Sequence, residues 1–201
     1  MLRGVMTNRL RLIVVAASVG FMAAAARGQV ETRPIDTGRS TLTVFVYKSG
    51  LFSAFADNHI IKAPIASGSI SEQSSPRVEL AVHAADLTVI DPDLRADRRA
   101  EVQTRMLGPE VLDTTKFPDI TFTSTTIVPA GNDRWNVNGR LTIHGQTRVM
   151  TFSVARVNGR YRGDVAIKQR DFGIEPIAIA GGTVKVKDEV KIQFDLAIPG
   201  A

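Results

Sequence analysis

From Trp135 to His144 apolar side chains recur at every second position. Trp135, Val137, Leu141 and Ile143 fall on one side, and Asn136, Asn138, Arg140, Thr142 and His144 on the other. A period of two is that of a β-strand with one dry and one wet face. The pattern breaks at His144-Gly145-Gln146 and resumes with Met150, Phe152 and Val154 against Thr151 and Ser153, which predicts a hairpin. Two strands alone are not stable in water, so the rest of the chain must supply the sheet.

Further strands are predicted on both sides of this hairpin. Thr41 to Tyr47 is rich in β-branched and aromatic residues, and a bend from Lys48 to Phe55 turns Phe52 and Phe55 inward. His59 to Ala63 and Ala66 to Ser71 read as one strand interrupted at Pro64, hence a bulge or an edge. In Arg77 to Ala84, Val78, Leu80 and Val82 oppose Glu79, Ala81 and His83, and in Asp119 to Val128, Ile120 and Phe122 oppose Thr121 and Thr123. Asn158-Gly159 marks a second tight turn before Tyr161, Val165 and Ile167, and the chain closes on Val190, Ile192, Phe194, Leu196 and Ile198. Helical spacing occurs once, over Leu94 to Leu107, with Asp91-Pro92 as the expected cap, Gly108-Pro109 as the stop and a short turn at Glu110 to Asp113. About eight strands with short connections and one crossing helix predict an all-β fold, an eight-stranded antiparallel barrel that removes its own edges. A two-sheet sandwich with a filled core is the competing architecture.

The first residues change the picture of charge and location. Arg3, Arg9 and Arg11 precede the apolar run Leu12 to Ala26, and Ala26-Arg27-Gly28 has the form of a cleavage site. The run is shorter than the roughly 20 residues of a membrane span, so residues 1–28 are expected to be a signal peptide, with no stable membrane span after cleavage. Residues 29–201 would then form one domain, periplasmic or secreted. The whole chain carries 25 basic and 20 acidic residues. Four of the arginines lie in the leader, which leaves 21 basic and 20 acidic residues, a net charge of +1. No nucleic-acid partner is therefore expected. The chain has no cysteine, which excludes disulfides, thiolate metal sites and a cysteine nucleophile.

Candidate chemistry is sparse. His59 lies beside Asp57 and Asn58, too few ligands for a metal site; His83 reads as an outward strand residue and His144 as a turn residue. Asp91, Asp93 and Asp97 have partial calcium-loop spacing, but Ala96 and Val102 stand where the glycine and the bidentate glutamate belong. Arg98, Arg99 and Arg105 read as a solvated helix face, the alternative being contact with an anionic head group such as a pyrophosphate near the barrel mouth. Asp171 and Glu175 flank Phe172-Gly173 as ordinary loop acids. No nucleophile elbow, zinc motif, phosphate loop or dinucleotide fingerprint occurs, so neither catalysis, metal nor cofactor is expected.

Val111-Leu112-Asp113-Thr114-Thr115-Lys116-Phe117-Pro118 through Thr125, Gly139-Arg140-Leu141-Thr142-Ile143-His144-Gly145-Gln146-Thr147-Arg148, and Arg170-Asp171-Phe172-Gly173 resemble, in order, three segments of the YceI-like family. The likeness runs from about Arg33 to Ile198. It departs from isoprenoid-binding members at Tyr47 to Ser53 and at Ala100 to Leu107. The resemblance implies a lipocalin-like eight-stranded barrel, exported in many members, that holds a polyisoprenoid. On that reading a long-chain isoprenoid or similar lipid is the partner, held for sequestration or transport, and a homodimer is left open. The lining would be Val44, Val46, Phe52, Phe55, Leu80, Val82, Phe122, Leu141, Ile143, Phe152, Val165, Ile192 and Phe194. The same residues would also fill a solid core, as in a non-catalytic envelope interaction or stress-related protein, because alternation does not distinguish a hollow barrel from a packed one.

Overall fold

Period-two alternation becomes strands along most of the chain. The computed structural model describes residues 32–49, 58–73, 75–179 and 184–199. The expected leader, the bend with Phe52 and Phe55, and Gly181-Gly182 lie outside the described residues. The elements are β1 (Arg33–Pro34), β2 (Thr41–Ser49), β3 (His59–Lys62), β4 (Ser67–Ser71), β5 (Arg77–His83), β6 (Thr88–Val89), α1 (Ala96–Leu107), β7 (Asp119–Pro129), β8 (Arg134–Ile143), β9 (Gln146–Val157), β10 (Arg160–Lys168), β11 (Ala178–Ile179) and β12 (Val184–Leu196). All pair antiparallel in one sheet ordered β1-β4-β5-β7-β8-β9-β10-β12-β2-β3-β6, with β11 on β12. Two of the hairpins turn on residue pairs with positive φ, His144-Gly145 (50° and 70°) and Asn158-Gly159 (51° and 74°). Such turns match the right-handed twist of the strands they join.

The count differs from eight for a physical reason. The stretch predicted as one strand broken at Pro64 is two strands with different neighbours: β3 pairs with β2, and β4 pairs with β5. The chain bends between Lys62 and Ser67 because Pro64 has no N–H for a ladder. Strands β2 and β5 are the two margins of the remaining sheet, so this one bent segment closes the sheet on itself. It leaves a gap on each side, and a two-residue strand fills each: β1 beside β4, β6 beside β3. The flanking chain continues the closure where Ile35 N–H donates to the Gly68 carbonyl at 2.9 Å and Asp36 N–H to that of Ala197 at 2.9 Å. With β3 and β4 taken as one bent strand and the short strands set aside, the eight-stranded barrel remains, and one continuous sheet excludes the sandwich.

The helix corrects a second expectation. It begins at Ala96, with Arg95 at the N-cap and no side-chain cap bond, because Asp91 is engaged elsewhere. The Asp91 carboxylate is buried against β3, accepting from His59 Nδ1 at 2.7 Å and from the Ile60 N–H at 2.5 Å. Arg99, expected in solvent, is half-buried and donates to the Asp91 carbonyl at 2.8 Å. Arg98 pairs with Glu101, and Arg105 lies near Glu110. Gln103 reaches from α1 to the exposed edge of β6, where Oε1 accepts from Val89 N–H at 2.8 Å and Nε2 donates to the Leu87 carbonyl at 2.7 Å. One side-chain amide thereby stands in for a neighbouring strand and covers the edge. Gln103→Ala is expected to lower unfolding stability by about 1–2 kcal/mol with an unchanged m-value, measured by urea titration.

Candidate ligand-binding cavity

The inward positions of the strands enclose a cavity of about 770 Å³, inside the range of about 300–1,000 Å³ common for small-molecule sites. Of the thirteen residues expected on its wall, every one within the described residues is there: Val44, Val46, Leu80, Val82, Phe122, Leu141, Ile143, Phe152, Val165, Ile192 and Phe194. The sequence reading missed further wall residues. Leu42, Met150, Val154, Tyr161 and Ile167 follow the same alternation and were accessible to it. Met106, Leu112, Phe172 and Ile174 come from the helix and turns, where a period of two carries no information.

Glycines on the inner face help keep the barrel hollow. The Phe122 ring lies over Gly139 of the neighbouring strand, and the Phe194 ring over Gly163, so close that a Cβ at either glycine would overlap the ring. Lying against the wall, the rings leave the axis free; Phe152 joins them, its centroid 5.4 Å from that of Phe122 and 5.7 Å from that of Phe194.

One end of the barrel is plugged, and the three sequence segments quoted above build the plug. His144, held at φ 50° in its hairpin turn, places its ring 4.3 Å from that of Phe117, which also lies over Gly145. His144 Nδ1 is 3.2 Å from the Phe172 carbonyl; a carbonyl only accepts, so Nδ1 carries the proton. Phe172, 1% exposed, fills the barrel end from a 3-10 turn that stops at Gly173, φ 72°. Arg170 ties this turn down, bonding Glu175 through two nitrogens at 2.5 and 3.1 Å, with its N–H donating to Asp188 Oδ1 at 3.0 Å. These bonds hold the Glu175 carboxyl below its usual range and raise Arg170 above its own. Glu175 is thus a surface clamp, and the motif glycines and aromatic residues here are structural.

The opposite end is rimmed with polar groups. Glu72, just beyond β4, accepts from the Tyr161 hydroxyl and from Arg156 Nη1 at 3.3 Å, and Arg33 Nη1 lies 3.7 Å away. Glu72, Gln73 and Arg156 border the cavity together with Ser71 and Trp135, whose ring centroid is 5.8 Å from that of Tyr161. None of these polar groups was singled out from the sequence, since Glu72 and Tyr161 stand 89 residues apart.

The histidines are not grouped. His59 is engaged with Asp91, His144 with Phe172, and His83 lies at the surface 2.9 Å from Asp119. Among the described residues no three His, Cys, Asp or Glu side chains come together as a metal site. Gly139→Ala is expected to cost about 1–3 kcal/mol. The new Cβ would lie 2.8 Å from the Thr123 carbonyl and would drive the Phe122 ring toward the axis. Thermal unfolding measures the loss, and the cavity should shrink in a crystal structure of the variant.

Comparison with known proteins agrees with this architecture. Solved structures that share the fold include Burkholderia cenocepacia BcnA (TM-score 0.63, 21% identity, 81% of this chain and 98% of that one) and a polyisoprenoid binding domain from Saccharophagus degradans implicated in plant cell wall breakdown (TM-score 0.57, 17% identity, 84% and 97%). A UPF0312 protein of Vibrio cholerae is 26% identical over 122 residues, 55% of this chain and 63% of that protein; one of Shewanella baltica is 33% identical over 103 residues, 46% and 54%. The matched stretches thus span a little over half the length of these curated relatives. The model of the YceI-like domain matches residues 25–198, and with the barrel and its three plug segments in place, the chain belongs to the YceI-like family.

Proposed function

We propose that the protein is a lipid carrier: its barrel holds one long apolar chain, of isoprenoid or quinone-like type, and sequesters or transports it without chemistry of its own. The observation that carries this reading is the apolar cavity running from the Phe172 plug to the Glu72 rim. Each buried CH₂ contributes about 0.8 kcal/mol, so an extended chain binds there without polar contacts along its length. The volume speaks against a packed barrel that serves only as an interaction surface. Residues 1–28 fit an export signal, which supports a carrier working in the periplasm or outside the cell with a mature start near Gln29.

The test is mass spectrometry of an organic extract of protein purified from its own cell envelope, beside native mass spectrometry of the same sample. One isoprenoid or quinone per protein is the expected result, on a chain shortened by the leader. A bare protein mass that stays unchanged after incubation with long-chain isoprenoids would overturn the carrier reading.

A further inference from the structure

Strands β9 and β10 are neighbours in the sheet, yet their ladder has only four pairs, from Arg160–Val157 to Gly163–Val154. Both strands continue well past it. On its other side β9 stays on β8 over the whole of Gln146 to Ala155, and β10 stays on β12 as far as Lys168–Glu189. The wall is next joined at the plug, where His144 Nδ1 meets the Phe172 carbonyl. Between these two joints Thr147 to Ser153 of β9 and Asp164 to Lys168 of β10 form no ladder pair with each other. Backbone groups that pair with nothing in the protein are held by water, because burying them is costly. This part of the wall is therefore a wet slit. Exposure agrees: none of the twelve residues of β9 is buried, whereas β8 beside it buries Val137, Gly139, Leu141 and Ile143.

The slit joins the surface to the cavity along apolar and small groups. Val149 is 74% exposed on its outer side, Thr151 and Ala166 come next, and Met150, Phe152, Val165 and Ile167 on its inner side belong to the cavity wall. The barrel ends suit an apolar chain less well. Phe172 fills one, and at the other the chain would strip water from Glu72, Arg33 and Arg156. We infer that the slit between β9 and β10 is a side entrance through which an extended apolar chain enters and leaves the cavity. This rests on the carrier reading and adds the route. Each strand keeps its partner on the far side, so the slit widens without breaking a ladder. The two bare edges face each other, which also shields them from pairing with a second copy.

The chain has no cysteine, so a pair introduced across the slit is unique. Extending the observed register sets Thr151 opposite Ala166 and Val149 opposite Lys168, all four exposed. Thr151→Cys with Ala166→Cys is closed by a cleavable bismaleimide, and Val149→Cys with Lys168→Cys serves as a second pair. The probe is geranylgeraniol, and its arrival is followed through the fluorescence of Trp135, the sole tryptophan, on the cavity wall. Closing the slit is expected to slow binding and release alike by about tenfold or more and to leave Kd within about twofold, because a barrier on the route changes both rates equally. Cutting the linker should restore both rates. A merely structural effect of the linker would move Kd or the melting temperature instead. A bulky maleimide on Gln73→Cys, at the polar rim, should leave the rates unchanged. Rates that stay within about twofold of the unlinked protein with both pairs closed, or that fall only when the rim is blocked, would overturn the side entrance and leave the carrier reading standing. Absence of binding to the unlinked protein at equilibrium would remove both.

Discussion

A curled sheet has two margins of unpaired backbone, and in this barrel a single bent segment satisfies both. Strand β3 completes β2, the chain turns at Pro64, and β4 completes β5. Every other feature depends on that closure. It removes the edges along which two copies would otherwise pair, and it fixes the inward set of side chains, because a slip of one residue at either margin would turn the apolar face outward. Where the bent segment leaves backbone uncovered, short pieces do the covering: β1 at one gap, β6 at the other, and the amide of Gln103 on the outer side of β6. The half-buried His59–Asp91 pair belongs to the same repair, since Asp91 also holds the Ile60 N–H and so anchors the connection to α1 on the closing strand.

Closure also makes the ends of the barrel unequal. Connections that carry aromatic residues crowd one end, where Phe117, His144 and Phe172 stack and bond across three distant parts of the chain. The other end is made of the β4–β5, β7–β8 and β9–β10 turns, which bring charged residues to the rim. The tube is therefore apolar and closed at the Phe172 end and polar at the Glu72 end.

Most of the wall was legible in the sequence because a closed antiparallel barrel turns alternation directly into inside and outside. Phe122, Leu141 and Phe194 are inward for the same reason that their neighbours in sequence are polar. The Asn158-Gly159 turn was legible from its local backbone requirement. What escaped depends on partners that no local pattern names. Asp91 has the form of a helix cap until a histidine 32 residues earlier claims its carboxylate. The bulge after Ser124 breaks the alternation of β7, so that Ile127 rather than Thr126 faces the cavity. No local pattern singles out Gln103 or Glu72, and only the fold gives each its partners.

Hollowness and stability pull in opposite directions, and the residues at the cavity show how they are reconciled. A void forfeits dispersion contacts along its lining, yet the strands around it keep their hydrogen-bond ladders, and glycines at 139 and 163 let the Phe122 and Phe194 rings lie in close contact with the wall. The unfilled volume is a deficit of the empty barrel. A ligand that fills such a volume binds the folded state and not the unfolded one, so its affinity adds to folding stability as its concentration exceeds Kd.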